Sequence, residues 1–260
     1  MPQLIELEQA VNVRELGGYQ TKHGRLIKEK KLIRSAAISD LTSADQVKLA
    51  EYGVNQVIDF RSLAESRAQP DQAIVGAKEV FLPIFQEDET MVSLSPESLK
   101  KRLDDGEDAE EQMKKVYRHF VESPYACKQY RQFFDHIIEN APSTGATLFH
   151  CTAGKDRTGF GAFLLLHVLG VDPDTIKQDY LATNRYLGPM LKAKFAPMTK
   201  NLGADLLNAI AVLMRAEESF LEESLAAIKM HYGSVDQYLK KGLGLRKEEQ
   251  DYLIAYLTQQ

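Results

Sequence analysis

Between residues 145 and 169 the chain passes from a short β-type apolar run, through a tight polar loop, into a segment that is apolar on every side. Thr147, Leu148 and Phe149 form the run, bounded by Gly145, and Phe160 to Leu169 has the character of a buried helix. Between them stands His150-Cys-Thr-Ala-Gly-Lys-Asp-Arg-Thr-Gly159. A buried strand leading straight into a buried helix needs a sheet beneath it. Two further apolar runs, 54–60 and 80–85, are separated by helical patterns. Helices are expected at about 43–53, 95–105, 110–122, 125–140, 157–170, 173–186, 203–231, 234–240 and 246–257. Residues 1–35 read as short extended runs broken by turns at Gly17-Gly18 and Lys22-His23-Gly24. The pattern predicts one α/β domain over 1–260, a mainly parallel central sheet flanked by helices with additional helices, and binding at the carboxyl ends of the strands.

The loop has the composition of an anion cradle. Amides converging at a helix N-terminus, where the helix is partly positive, attract a phosphate group. Cys151 opens the loop, and a thiol facing those amides and the Arg157 guanidinium ionises easily, since such surroundings bring a cysteine from about 8.5 to roughly 3.5–7.5. Arg157 offers a planar fork for two oxygens, where a lysine would offer a point charge. Thr152, Ala153, Gly154, Lys155 and Asp156 complete the candidate phosphate-binding loop. Thr158 can donate toward the sulfur or cap the helix, and His150 is expected to support the loop from behind rather than to bind a metal.

Other readings of the decapeptide fit less well. A nucleotide-binding Gly-x4-Gly-Lys-Ser/Thr loop fails at Phe149, which stands in place of its first glycine, and at Asp156, which follows Lys155. A sulfur-transferase loop lacks a reason for Arg-Thr-Gly at this interval. An inert buried cysteine leaves Lys155, Asp156 and Arg157 beside a core helix unexplained. A phosphate-reading module without activity would ordinarily have lost the cysteine or the arginine.

The segment resembles the signature Cys-x5-Arg-Ser/Thr of the protein tyrosine phosphatase superfamily, in the Ala-Gly-Lys-Asp-Arg-Thr form of its bacterial tyrosine phosphatase group. Asn12-Val-Arg-Glu-Leu-Gly-Gly-Tyr19 is similar to that group's Asn-x-Arg-Asp-Leu-Gly-Gly, Arg34-Ser-Ala-Ala-Ile to its Arg-Ser-x-x-Leu, and Val57-Ile-Asp-Phe-Arg-Ser62 with Glu65 to its Asp-Leu-Arg-x3-Glu. The likeness runs from about residue 10 to about 245. It implies a cysteine-dependent phosphatase acting through a phosphocysteine, with Cys151 as nucleophile, Arg157 on the phosphoryl oxygens, no cofactor and no metal. Substrates would be phosphotyrosine in a protein, or also phosphoserine, phosphothreonine or a phosphoinositide, with inorganic phosphate as product ligand. Lys155 stands where lipid phosphatases of the superfamily bind ring phosphates, whereas Thr152 replaces a second lysine of the best-known of them.

For the proton donor, Asp59 matches the aspartate to which the group's acid function is usually ascribed. Asp156, inside the loop, is the second candidate, and Asp88 with Glu87 and Glu89 the third. Arg61 and Glu65 read as a simple salt bridge on one helical face. The acidic run 104–111 reads as a solvated loop, and a helical lid over the site is expected within about 86–122. Cys127 reads as a small core residue.

A net charge of −5 and a pI near 5.8 argue against nucleic acid as a partner. No apolar stretch reaches membrane-spanning length, and Met1 to Gln9 carries acids where a signal peptide has a basic start. Together with two cysteines and no disulfide framework, this predicts a cytoplasmic enzyme.

Overall fold

The computed structural model describes residues 3–195 and 202–260. Four short strands come first: β1 (Gln3–Leu4), β2 (Arg14–Glu15), β3 (Leu26–Ile27) and β4 (Leu32–Ser35). Helix α1 (Ser43–Tyr52) is opened by a capping box between Thr42 and Asp45 and closed by Gly53, whose φ of 104° is open to glycine. Then come β5 (Val54–Asp59), α2 (Leu63–Ala68) and β6 (Lys78–Phe81), followed by α3 (Pro96–Asp104), α4 (Ala109–Glu122) and α5 (Pro124–Asn140). The chain continues with β7 (Ala146–His150), α6 (Arg157–Val168), α7 (Pro173–Phe195), α8 (Ala204–Met214), α9 (Glu218–Tyr232), α10 (Val235–Gln237), a π-helical turn (Tyr238–Gly242), α11 (Lys247–Leu257) and β8 (Thr258–Gln259).

The main sheet runs in the order β1-β2-β4-β7-β5-β6. Strands β4, β7, β5 and β6 are parallel, and β1 and β2 join as antiparallel edge strands. β7 is central and buried along its whole length, which accounts for its unbroken apolar run. His150 lies opposite both Ser35 and Asp59, so the ends of β4 and β5 flank the loop that follows β7. β3 pairs with β8 in a separate two-stranded sheet, Leu26 opposite Gln259 and Ile27 opposite Thr258.

One face of the sheet packs on an aromatic core. Phe160 of α6 stacks on Phe120 of α4 at 5.2 Å between ring centres and meets Tyr130 of α5 edge-on at 5.2 Å, while Phe60 meets Phe133 at 5.2 Å. The smaller opposite face is closed by α1, with Ile33, Leu49, Val57 and Leu148.

The structure corrects several boundaries. The helix expected over 203–231 is two helices, broken where the Ala216 N–H donates to the Asn184 side chain and the Ala216 carbonyl accepts from it. The helix expected to end near 186 runs on through Pro189 to Phe195, and buried Leu187, just past the expected end, packs on Ala36 and Ala153. The strand expected at 80–85 lies at 78–81 and is finished before Pro83. The 234–240 segment is a single helical turn that widens into the π turn.

Candidate active site

The loop from Cys151 to Asp156 joins the end of β7 to the first residue of α6, and it is enclosed: Cys151 and Arg157 are each 1% exposed. Gly154 takes a left-handed φ of 65°, and a Cβ there would stand 2.2 Å from the Ser35 carbonyl oxygen, so no other residue fits. The loop's carbonyls are bonded outward. That of Thr152 accepts from the Ala37 N–H at 3.1 Å, those of Ala153 and Gly154 from Asn12 at 3.1 and 3.2 Å, and that of Gly154 also from Arg34 at 2.8 Å. Among the described residues, no acceptor takes the N–H groups of Thr152 to Asp156. A buried loop with its carbonyls satisfied and its amides free is built to receive an anion.

Arg157 is held by Glu65 of α2, whose two carboxylate oxygens accept from its terminal nitrogens at 2.6 and 2.8 Å. Glu65 also accepts from the Thr152 hydroxyl and completes the capping box of α2 with Ser62. Burial alone would raise the Glu65 carboxyl, but the Arg157 pairing outweighs it and brings the group down to about 2. Burial likewise pulls Arg157 down, and Glu65 more than restores it. Among the described residues the Arg157 Nε and the Thr158 hydroxyl are buried and without a partner, which leaves two side-chain donors beside the free amides.

The three aspartates considered as proton donors sit in different surroundings. Asp59 lies behind the loop, where both oxygens accept from Arg61 at 2.9 Å and Oδ1 also accepts the Arg61 N–H. Asp88 accepts from the N–H and hydroxyl of both Thr90 and Ser93, 3.9 Å from Arg157. Asp156 accepts from the Tyr117 hydroxyl through Oδ1 at 2.8 Å, and its Oδ2 takes no hydrogen bond among the described residues. Tyr117, in turn, shares a 2.7 Å hydroxyl contact with Tyr180.

The Arg61–Glu65 pairing expected from spacing does not form. Arg61 precedes the cap residue Ser62 and turns to Asp59 and Asp71, at 2.9 Å from each. His150 lies 3.0 Å from Asp71 and 3.9 Å from Asp59. Burial pushes its pKa down, and the two carboxylates push it up by more. Asp59, Asp71 and His150 bring three potential metal ligands within 4.8 Å of one another, but the Arg61 guanidinium already supplies the cation that both carboxylates face. Lys155 is fully buried and donates to the carbonyls of Leu213 and Arg215 at the end of α8, with Asp156 at 3.4 Å. Its ammonium is thus engaged by α8. Cys127 is a buried free thiol that donates to the Val121 carbonyl.

The structure therefore gathers Cys151, the loop amides, Arg157, Thr158 and Asp156 at the head of α6. It adds Glu65, Thr90 and Tyr117, which sequence reasoning had not placed there. Of these only Glu65 carried a signal, as the last position of the Asp-x-Arg-x3-Glu run.

Cys151 and Arg157 thus stand at the two ends of an enclosed loop at the carboxyl edge of a parallel sheet. In sequence comparison, the family model described as "Tyrosine phosphatase family" matches residues 5–259. The chain belongs to the tyrosine phosphatase family and is a protein-tyrosine phosphatase. A protein of Cupriavidus necator provisionally named a tyrosine-protein phosphatase is 34% identical over 89% of this chain and 81% of its own. The triple specificity protein phosphatase PtpB of Mycobacterium tuberculosis is 28% identical over 90% of this chain and 92% of its own. A solved structure of TpbA from P. aeruginosa covers 73% of this chain and 89% of its own at 17% identity with a TM-score of 0.34, a likeness too distant to decide anything. Among the described residues no helix is long and apolar enough to cross a membrane.

Proposed function

We propose that the enzyme hydrolyses phosphotyrosine in two steps through a phosphocysteine. The observation that carries this is the cradle of unpartnered amides at the head of α6, with the Arg157 Nε and the Thr158 hydroxyl beside the Cys151 thiol. Cys151 attacks phosphorus in line while the amides and Arg157 hold the equatorial oxygens. The P–O bond to the leaving tyrosine breaks, and a carboxylic acid protonates the departing oxygen. Water then attacks the phosphocysteine, releasing inorganic phosphate and the thiolate. Thr158 donates to the departing sulfur.

We assign the proton transfer to Asp156. Asp59 and Asp88 have both carboxylate oxygens tied to fixed donors, whereas Asp156 keeps one free and has the other oriented by Tyr117. Asp59, paired with Arg61 beside His150, supports the loop from behind.

The enclosed cradle must open for substrate. The segment 86–95, α3 and α8 are the candidate cover, because Thr90 accepts from Arg157 at 3.5 Å, Lys155 donates to the end of α8, and α3 packs on α8. α4, part of the lid span expected from sequence, has its inner face in the core, with Met113, Tyr117 and Phe120 fully buried. With its ammonium spent on α8, Lys155 reaches a second phosphate only when α8 lifts, which favours phosphotyrosine over a phosphoinositide. A panel of phosphotyrosyl, phosphoseryl and phosphothreonyl peptides and phosphoinositides tests that preference.

The deciding assay is hydrolysis of p-nitrophenyl phosphate and of a phosphotyrosyl peptide by wild type and Cys151→Ser, with inorganic phosphate as competitive inhibitor. Loss of turnover in Cys151→Ser is expected, and unchanged turnover would refute the mechanism. In Asp156→Asn, alkyl phosphates should slow about 10²–10⁴-fold and p-nitrophenyl phosphate much less, because only the poor leaving group needs the proton. If Asp59→Asn or Asp88→Asn shows that split instead, the acid lies there.

A further inference from the structure

Resting on the cysteine-phosphatase reading above, we propose that Asn12 and Arg34 are positioning residues of the catalytic loop: they bind its carbonyls from behind and thereby aim its amides at the phosphoryl group. A peptide unit carries its N–H and C=O on opposite sides. In a buried loop, amides can converge inward only where the carbonyls find donors on the outside.

Asn12 provides two of those bonds, from its Nδ2 to the carbonyls of Ala153 at 3.1 Å and Gly154 at 3.2 Å. Arg34 provides a third, to Gly154 at 2.8 Å. These two residues lie more than a hundred positions before the loop in sequence.

Each donor is itself locked. Arg14 donates to the Asn12 side-chain oxygen, which fixes the amide so that its nitrogen faces the loop. Asn12 holds a left-handed φ of 58°, a conformation that asparagine tolerates better than most residues. Arg34 is anchored by Asp179 of α7, and Arg14 reaches the same carboxylate at 3.2 Å together with the Asp179 carbonyl at 2.8 Å. All four side chains are buried. Two guanidiniums share one carboxylate, so one positive charge is left over behind the cradle. Neither Asn12 nor Arg34 reaches the reacting atoms; both act through the loop backbone.

The test compares wild type, Asn12→Asp, Asn12→Ala and Arg34→Lys on p-nitrophenyl phosphate across pH, with thermal unfolding of each. Asn12→Asp keeps the shape but replaces the donors with acceptors and adds a negative charge, whereas Asn12→Ala removes the donors and leaves the charge unchanged. Arg34→Lys keeps the charge and loses the fork. In folded variants kcat should drop about 10–100-fold, somewhat less than the loss of a direct oxyanion donor. The acid limb of kcat/KM should also move to higher pH, because disordered amides stabilise the Cys151 thiolate less. The other groups around that sulfur remain in place: Arg157 and Asp156 at the head of α6, Lys155 in the loop, His150 on β7, Glu65 on α2 and Tyr130 on α5.

A folded Asn12→Ala with wild-type kcat and an unmoved acid limb would overturn the proposal. So would a rate loss that merely follows a lowered melting temperature. If Asn12→Ala and Asn12→Asp fail to fold, Arg34→Lys carries the same two outcomes. Wild type no more active than Cys151→Ser would instead sink the functional reading, and this inference with it.

Discussion

Glu65 shows how much a single residue contributes to this site. It caps α2, accepts from Thr152 and grips both terminal nitrogens of Arg157, so the guanidinium fork is set before any phosphate arrives. Removing one partner of a buried pair leaves the other charge uncompensated, at a cost of about 3–5 kcal/mol. Glu65→Ala is therefore expected to lose that much stability in urea unfolding. In the better-tolerated Glu65→Gln, kcat/KM should fall about a hundredfold, an oxyanion-type loss. Retention of full activity by folded Glu65→Gln would show that Arg157 needs no such grip. Gly154 is equally constrained. Gly154→Ala would set a Cβ against the Ser35 carbonyl, and the expected result is a folded protein without measurable turnover on p-nitrophenyl phosphate.

Among the elements, α6 and the segments proposed as a cover make opposite demands. α6 is buried on nearly all sides, and the stack of Phe160 on Phe120 fixes its head, from which Arg157 and Thr158 project. Phe160→Ala should cost about 3–5 kcal/mol, read as a lowered denaturant midpoint with an unchanged slope. α3 buries little beyond Leu99, whereas α8 buries Leu206, Ala209, Ile210 and Leu213 and is held at its end by Lys155 and Asn184. Amides of α3 should therefore exchange with solvent by local opening, much faster than those of α4, and those of α3 and α8 should slow when vanadate fills the cradle. Equal exchange in α3, α8 and α4, unaffected by vanadate, would rule out the cover.

At the scale of the whole molecule, acid stability follows from the buried carboxylates. Glu65 and Glu249 are each held down near 2. For Glu65 burial works against this and Arg157 prevails; for Glu249 the main cause is Arg131. Asp45, Asp71 and Asp179 are also lowered, against the effect of burial, by backbone donors or cationic partners. Unfolded carboxyls take up protons near 3.9–4.3, so across this range the unfolded state binds more protons than the folded one. The stability from these groups is nearly complete above about pH 5 and is lost as pH falls toward 2. Glu15, whose carboxyl burial raises, works in the opposite sense. A melting temperature that stays flat between pH 5 and 3 would contradict this balance.

How much of this was legible in sequence depends on separation along the chain. Strand β7, the loop and α6 are contiguous, and hydrophobic pattern and turn chemistry sufficed to read them. Glu65 was visible but misassigned, because the spacing to Arg61 suggests one helical face and only the cap at Ser62 excludes it. Asn12, Arg14 and Arg34 stand in family-like runs that assign them no task, since their partners at 153, 154 and 179 are joined to them only by folding. The break at 215–217 rests on Asn184 and Lys155, two distant side chains, and no local signal marks it.

The most direct measurement of the central claim is rapid acid quenching of the enzyme during turnover of a radiolabelled phosphotyrosyl peptide, followed by location of the covalent label. Label should appear on Cys151 in wild type and be absent from Cys151→Ser. Label on a different residue, or undiminished turnover by Cys151→Ser, would contradict a phosphocysteine formed at the head of α6.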